Sequence, residues 1–317
     1  MSWSTSGGPG RIAGGGAVVA RAPAKVNVHL SIAPLRDDGY HDLQTVFLAV
    51  SLFDTVTVRP AEGLTLTVSG EGTTAEPGVD RVPTDRRNLV WRAAVLLAEQ
   101  AGVKARAAID IAKSIPAAAG LAGGSADAAA ALVALDALWN TGATRGELAG
   151  LAAQLGSDVP FLLHGGNAIG GGRGETVSPV LARGSYHWVF ATAPEGLSTA
   201  AVYAEFDRIT PDAPEEPEVP DALLNALRAG DAHALGQALS NDLTDASLSL
   251  RPELADTLEV GLEAGALGAI ISGSGPTTAF LAASEQHALD LAMALASTGA
   301  AADVLQSRGP VSGARLV

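Results

Sequence analysis

The chain has 317 residues, of which 47% are hydrophobic, so a buried core is expected and global disorder is excluded. Its 34 acidic residues outnumber the 20 Lys and Arg residues, which gives a formal net charge of −14. This charge disfavours general binding to nucleic acid or to an anionic membrane, although a local pocket of backbone N–H groups can still hold a small anion. The absence of cysteine excludes disulfides, Cys-ligated metal centres and thiol nucleophiles.

No apolar stretch reaches the roughly 18 residues of a membrane-spanning helix, because the longest, residues 128–139, is interrupted by Asp136. Residues 1–16 are rich in Gly and Ser and have no apolar centre, so they are predicted to form a disordered tail and not a signal peptide. These features predict a cytoplasmic protein with a small-molecule substrate and with no nucleic-acid or membrane partner. They leave open whether it is a monomer or a homodimer.

The hydrophobic pattern predicts a mixture of strands and helices along the whole chain. In the first half it predicts strands at 17–20, 26–32, 48–58, 64–68 and 107–112 and helices at 88–100, 125–139 and 145–155. In the second half it predicts strands at 186–192, 269–271, 277–282 and 303–306, helices at 222–229, 232–240, 253–264 and 286–297, and an exposed acidic, Pro-rich loop at 211–220. Because strands and helices do not alternate strictly, the fold class is predicted to be α+β, with a smaller C-terminal half.

The strongest chemical signal is a glycine-rich run that leads directly into the predicted helix at 125–139. It reads Ile115-Pro116-Ala117-Ala118-Ala119-Gly120-Leu121-Ala122-Gly123-Gly124-Ser125. Glycines let a backbone approach a ligand closely, and a helix start presents unpaired N–H groups at the positive end of its dipole. A phosphate-binding loop and an ordinary loop capped by Ser125 both agree with these residues. The run is not a Walker loop, because no Gly-Lys-Ser/Thr follows it.

Other polar residues carry weaker signals. Lys25, Asn27 and His29 share one face of a predicted strand, for which a solvated face is the ordinary interpretation. Asp158 follows a predicted helix end beside a glycine, where a turn role is usual. Residues 272–275 exceed what a tight hairpin turn needs, which favours a backbone that approaches a ligand. The six histidines contain no His-x-x-x-His pair, so a zinc site is not expected.

Together these segments resemble the GHMP small-molecule kinases, whose three motifs are matched by the strand around Lys25, by residues 116–129 and by residues 272–276. The strings Asp38-Gly39-Tyr40-His41 and Gly156-Ser157-Asp158-Val159-Pro160-Phe161 are similar to the branch that acts on a cytidine diphosphate sugar alcohol. The resemblance covers about residues 21–282. It implies a two-domain α+β fold, with a ribosomal-protein-S5-like α/β domain at 17–182 and a ferredoxin-like α+β domain at 183–317.

The phosphate loop departs from the family pattern at two positions. Ala122 stands where the family usually has glycine, which alanine tolerates if its φ is negative. Ala126 stands where the family often has a second serine, so Ser125 is the side-chain hydroxyl that remains there.

The resemblance implies ATP-dependent phosphorylation of the 2-hydroxyl of cytidine diphosphate methylerythritol, in non-mevalonate isoprenoid precursor synthesis, with Mg²⁺ bridging phosphates. Lys25 and Asp158 would be the catalytic pair, with Asp158 accepting the hydroxyl proton. The residues implied to bind ATP are Asn88, Lys113, Pro116, Ala117, Ala118, Ala119, Gly120, Leu121, Ala122, Gly123, Gly124, Ser125 and Ala126. The residues implied to bind the second substrate are Asn27, Tyr40, His41, Ser272, Gly273, Ser274 and Gly275, with Tyr40 stacking on the cytosine. No side chain is assigned to the metal.

Two alternatives stay open on the sequence alone. One is another GHMP kinase, of the mevalonate or homoserine type, which would share the phosphate loops but not the Tyr40-His41 string. The other is a catalytically silent nucleotide-binding relative, which is disfavoured because both Lys25 and Asp158 are present.

Overall fold

The computed structural model of the chain describes residues 16–70 and 82–317, so the predicted tail at 1–16 lies outside the described residues except for Gly16. In the described ranges the strands are β1 (Val18–Leu35), β2 (His41–Arg59), β3 (Leu64–Ser69), β4 (Ala107–Ala112), β5 (Asn167–Gly171), β6 (Thr176–Pro179), β7 (Tyr186–Thr192), β8 (Ser240–Asn241), β9 (Gly268–Ile271), β10 (Thr278–Ala282), β11 (Asp303–Gly309) and β12 (Arg315–Leu316). The helices are α1 (Leu89–Ala101), α2 (Gly123–Trp139), α3 (Arg145–Leu155), α4 (Val159–His164), α5 (Thr199–Ile209), α6 (Asp221–Ala229), α7 (Ala232–Gln237), α8 (Thr244–Leu250), α9 (Glu253–Glu263) and α10 (Glu285–Thr298).

The first sheet has the order β12-β1-β2-β4-β3, with β5 and β6 added beside β2 and with β8 parallel to β1. Its centre is a long antiparallel pair of β1 and β2. The strands predicted at 17–20 and 26–32 are one continuous strand, so the predicted break is wrong. Pro23 does not end β1 because the pairing register shifts between Pro23 and Ala24, and proline is tolerated at such irregularities.

The second sheet has the order β11-β7-β10-β9 and is antiparallel throughout. It packs one face on α10, where Leu291 and Leu295 are fully buried. Two short strands of the C-terminal half, β8 and β12, pair with β1 in the first sheet. The α+β class and the mixed helix and sheet architecture are therefore as the sequence predicts, while the domain division after residue 182 stays a prediction.

Helix α2 lies in the core against β1 and β2, and its alanine-rich sequence lets the backbones approach closely. The helix begins at Gly123, so the predicted start at Ser125 is wrong, and Ser125 lies inside the first turn instead of capping it. The N-cap is Ala122, with φ of 59° and no side-chain capping bond. The condition that φ be negative at Ala122 is therefore not met, and the loop carries a left-handed alanine at a cost of roughly 1–2 kcal/mol.

Several predicted ends and elements can be compared directly with the structure. Helix α1, predicted at 88–100, runs from Leu89 to Ala101; Asn88 caps it, and Gly102 ends it in the left-handed conformation. The acidic segment at 211–220 is a loop, as predicted. Helices α4, α5 and α8 were not predicted, and the helix predicted at 232–240 ends at Gln237 because the chain turns into β8. No helix in the described ranges has both the length and the apolar character needed to cross a membrane.

Candidate active site

A cavity of about 900 Å³ opens between β1, the glycine-rich loop before α2, the turn at 272–275 and α5. Residues from distant parts of the chain line it, including Lys25, Tyr40 and Asp158. The cavity therefore brings together the residues that the sequence places at a catalytic pair, at a phosphate loop and at a base-binding site.

Lys25 lies on β1 at the floor of this cavity and is only 4% exposed, so the interpretation of its strand face as solvated is wrong. Its Nζ atom donates to Asn27 Oδ1 at 2.5 Å and to the carbonyl of Gly120 at 3.0 Å. Asp158 is the nearby carboxylate, and its Oδ2 atom lies 4.0 Å from Lys25 Nζ. Burial lowers the pKa of the Lys25 ammonium, and the negative charge of Asp158 partly offsets that effect.

Asp158 lies at the N-cap position of α4, which agrees with a turn role for its backbone. Its side chain, however, makes no capping hydrogen bond. The carboxylate lines the cavity and is 31% exposed. It is therefore directed at Lys25 and the cavity, and the turn does not use it.

The two glycine-rich segments meet at Gly120. Its carbonyl oxygen accepts from Lys25 and also from Ser272 Oγ, at 3.1 Å. Gly120 has φ of 71°, and a Cβ atom there would lie 2.4 Å from the carbonyl oxygen of Ser272. Gly273, with φ of 58°, lies beside Lys25, since a Cβ atom there would be 3.3 Å from Nζ. The turn at 272–275 is thus packed against Lys25 and is not a plain hairpin.

The far end of the cavity carries aromatic side chains. Tyr40 is 51% exposed, and the guanidinium of Arg173 lies over its ring at 4.7 Å. His41 is buried and donates from Nδ1 to the carbonyl of Ala33 at 2.9 Å, which leaves Nε2 facing Asp207 at 3.6 Å. The ring of Tyr203 lies 5.1 Å from that of His41. This end therefore offers an exposed ring and a polar ring edge.

Sequence reasoning missed several residues of this cavity, among them Arg173, Tyr203 and Asp207. Arg173 lies within a run of glycines, which was the available signal, whereas Tyr203 and Asp207 lie on the unpredicted helix α5. Burial and the charge of Asp158 raise the pKa of Tyr203 to about 12, so its phenol stays neutral.

The structure places the residues implied to bind ATP in different surroundings. The residues of the loop that line the cavity are Ala118, Ala119, Gly120, Ala122, Gly123 and Gly124. The side chains of Leu121 and Ala126 are fully buried in the core instead, so only their main-chain atoms are candidates for a ligand contact. Asn88 caps α1, donating from Nδ2 to the carbonyl of Pro83 at 2.7 Å, and Lys113 lies in a buried ion cluster. These two side chains are engaged within the protein, and their contact with adenine stays a prediction.

Comparison with known proteins agrees with this geometry. The family model described as GHMP kinases N terminal domain matches residues 88–166, and the one described as GHMP kinases C terminal matches residues 223–301. A 4-diphosphocytidyl-2-C-methyl-D-erythritol kinase of Thermobifida fusca is 55% identical over 305 residues, covering 95% of this chain and 98% of that protein. The chain belongs to the 4-diphosphocytidyl-2-C-methyl-D-erythritol kinase family.

Solved structures support the membership at two levels. A crystal structure of a 4-(cytidine 5'-diphospho)-2C-methyl-D-erythritol kinase is 34% identical, with a TM-score of 0.74, and covers 92% of this chain and 98% of that one. A mevalonate kinase from L. major has a similar TM-score of 0.73, but it is 18% identical and shows the fold alone, over 92% of this chain and 96% of that one. The 4-diphosphocytidyl-2-C-methyl-D-erythritol kinase family belongs to the ATP-dependent small-molecule kinases of the GHMP class. The alternatives of a mevalonate or homoserine type are not favoured.

Proposed function

We propose that this chain transfers the γ-phosphoryl group of ATP to the 2-hydroxyl of 4-diphosphocytidyl-2-C-methyl-D-erythritol, a step of non-mevalonate isoprenoid precursor synthesis. The observation that carries the proposal is that one cavity holds both the Lys25–Asp158 pair and the Tyr40–His41 end. A reacting hydroxyl and a cytosine base belong to the two ends of that substrate. Relatives of this chain by sequence are named as kinases of that substrate.

Asp158 is proposed as the group that accepts the proton of the 2-hydroxyl. In the reaction the 2-oxygen forms a bond to the γ-phosphorus, the bond from that phosphorus to the β–γ bridging oxygen breaks, and ADP leaves. The half-exposed carboxylate of Asp158 supports this role, because it is accessible from the cavity and unused by the turn. General base catalysis of this kind is worth roughly 10²–10⁴ in rate.

Lys25 is proposed to orient the hydroxyl and to stabilise the charge that develops on the transferred group. Its ammonium is held by Asn27 and by the carbonyl of Gly120, so its position is fixed before substrate arrives. Burial works against its charge, whereas an incoming phosphate favours it. Because a tertiary hydroxyl is a hindered nucleophile, alignment of this kind carries more of the barrier than basicity does.

The glycine-rich loop is proposed to hold the ATP phosphates through its backbone N–H groups. Gly123 and Gly124 are the first two residues of α2 and line the cavity, so they combine open space with the positive end of the helix dipole. Mg²⁺ belongs to the proposal because it binds substrate phosphates and keeps several waters. No side chain is assigned to the ion, because Ser125, in the first turn of α2, is not among the residues that line the cavity. When bound, the ion neutralises charge on the phosphates.

Tyr40 and His41 are proposed to recognise the cytosine. The exposed ring of Tyr40 offers a stacking surface, and the guanidinium of Arg173 over that ring restrains it. His41 is held by the carbonyl of Ala33, so its Nε2 edge, 3.6 Å from Asp207, has a fixed direction from which to contact the base. We include in the proposal the domain division after residue 182 and a cytoplasmic location, where ATP and cytidine nucleotides are held.

A substrate panel tests the proposal. Purified enzyme with ATP and Mg²⁺ is offered 4-diphosphocytidyl-2-C-methyl-D-erythritol, mevalonate or homoserine, and ADP release is measured. The expected result is ADP release with the cytidine substrate alone, and phosphate on the 2-oxygen by ³¹P NMR. Release with mevalonate or homoserine but not with the cytidine substrate would refute the assignment, and binding of ATP without release on any substrate would point to a silent relative.

A further inference from the structure

A buried ion cluster, formed by Asp54, Lys113 and Asp127, lies beneath the phosphate loop, and its side chains pair with one another. The Nζ atom of Lys113 donates to Asp127 Oδ2 at 2.7 Å and also to Asp54 Oδ2. The three side chains are 2% exposed for Lys113, 0% for Asp54 and 2% for Asp127. The cluster is therefore removed from solvent.

The cluster connects the two ends of the phosphate loop. The second oxygen of Asp54, on β2, accepts from the backbone N–H of Ser114 at 2.6 Å and of Ile115 at 2.8 Å, where the chain enters the loop. Asp127 lies on α2, where the chain leaves the loop. One ammonium, that of Lys113, thus links a strand of the first sheet, the entry of the loop and the helix that follows it.

The ammonium also lies directly under the proposed phosphate contact. A Cβ atom on Gly123, the first residue of α2, would lie 3.1 Å from Lys113 Nζ. Stability alone explains such a cluster poorly, because buried ion pairs are often replaced by apolar residues of similar volume without loss of stability. Its geometry is better explained by a need to hold the loop in one conformation.

We propose that Asp54, Lys113 and Asp127 are positioning residues that hold the phosphate loop in the conformation that binds ATP. The inference rests on the proposed function in one respect, which is that this loop contacts the ATP phosphates. It is independent of which alcohol is phosphorylated.

The charge of the cluster gives a readout that a purely structural role would not change. Two carboxylates share one ammonium, and Asp127 Oδ1 is a buried atom with no hydrogen-bond partner among the described residues. The charged groups that face Asp127 are Lys113, just after β4, and Asp54, on β2. Burial chiefly, together with the charge of Asp54, raises the pKa of Asp127 to about 8. An ionised Asp127 would place an extra negative charge below the phosphates.

The first experiment measures ATP affinity by calorimetry on the full chain, for wild type, Lys113→Met and the control Asp136→Asn. Asp136 is on the same helix, and its carboxylate accepts from Ala143 at 3.1 Å at the far end. Lys113→Met is expected to weaken ATP binding at least about tenfold and to leave the KM of the cytidine substrate within about twofold. Asp136→Asn is expected to change stability but not ATP affinity. A folded Lys113→Met protein that binds ATP as wild type does would overturn the proposal.

The second experiment remains decisive if Lys113→Met does not fold. ATP dissociation constants of wild type and Asp127→Asn are compared at pH 7.5 and pH 9.5. If ATP binds the form with Asp127 protonated more tightly, the raised pKa of Asp127 predicts that the wild-type constant rises over this range. The side chain of Asp127→Asn does not titrate. The ratio of the ATP dissociation constants at pH 9.5 and pH 7.5 should therefore be at least about threefold smaller for this variant than for wild type. Lys25 titrates alike in both proteins, so the difference belongs to Asp127.

Parallel profiles within about threefold would overturn the proposal. Its failure is distinguishable from failure of the proposed function, because ATP binding is measured without the second substrate. A wild type that binds ATP with the expected pH difference, but does not phosphorylate the cytidine substrate, would refute only the proposed function.

Discussion

Gly120 lies where the two glycine-rich segments meet, and its replacement with alanine is expected to destabilise the protein. Gly120 has φ of 71°, and the added Cβ would lie 2.4 Å from the carbonyl oxygen of Ser272 and 3.0 Å from that of Gly275. Both obstacles are backbone atoms, so no side-chain rotation relieves the contact. The carbonyl of Gly120 also accepts from Lys25, so a displaced loop would move the proposed catalytic ammonium.

The magnitude follows from three contributions. A left-handed conformation costs an alanine roughly 1–2 kcal/mol. An added methyl group in a packed site costs about 1–3 kcal/mol. The loss of glycine from the unfolded chain returns about 0.4–1 kcal/mol. The free energy of unfolding should therefore fall by about 1–5 kcal/mol, a large part of the roughly 5–15 kcal/mol that a protein has.

Gly124→Ala is the matched control in the same loop. Gly124 has no atom within 4 Å of a Cβ position and lies in the first turn of α2, so alanine there should leave stability unchanged or raise it by up to about 1 kcal/mol. Its methyl group would nevertheless enter the cavity beside the proposed phosphates and raise the KM for ATP. Urea denaturation and steady-state kinetics measure the two effects. A Gly120→Ala protein that unfolds within about 0.5 kcal/mol of wild type would refute the reasoning.

Three further predictions concern the rest of the cavity. Asp158→Asn should lower kcat by roughly 10²–10⁴ while both substrates still bind. Adding Lys25→Met to it should lower kcat little further, because the two residues act as one unit. A kcat of Asp158→Asn within about threefold of wild type would refute the assignment of Asp158 as the base. Tyr40→Ala should raise the KM of the cytidine substrate by the equivalent of about 1–3 kcal/mol and leave that of ATP alone, whereas an equal rise in both would place Tyr40 outside base recognition. Ala118→Gly should raise the free energy of unfolding in urea by about 0.5–1 kcal/mol, because φ at this exposed alanine is 55°; a loss of stability would refute the strain argument.

Elements whose ends depend on local chemistry could be predicted from the sequence. Asn88 caps α1 and Gly102 ends it because an amide side chain and a left-handed glycine satisfy exposed backbone groups without help from the rest of the chain. The strand at 107–112 follows from alternating hydrophobic residues and is observed with the predicted bounds. The sign of φ at Ala122 was predicted wrongly because it does not depend on local chemistry: the loop is held by Lys25 and Ser272, from distant parts of the chain.

The candidate site depends on packing that periodicity does not describe. Lys25 lies on a strand face that alternation alone assigns to solvent, but the turn at 272–275 covers that face from the other end of the chain. Tyr203 could not be found because α5 was not predicted, and an isolated tyrosine carries no signal of its own. The resemblance to a family predicted Lys25 and Asp158 as a catalytic pair, whereas composition and periodicity alone favoured a surface lysine and a turn aspartate.

The positions of the charged groups explain how an acidic chain admits polyanionic substrates. The net charge of −14 sets the field outside the protein, which salt screens over about 8–10 Å. Inside the cavity the nearest charges are different: Lys25 is 4% exposed, Arg173 lies over Tyr40, and α2 presents the positive end of its dipole at Gly123. The carboxylates of Asp158 and Asp207 also line the cavity, so these positive groups are what favour the binding of a nucleotide within about 900 Å³. The admission of polyanionic substrates therefore follows from where the positive groups lie, not from their number.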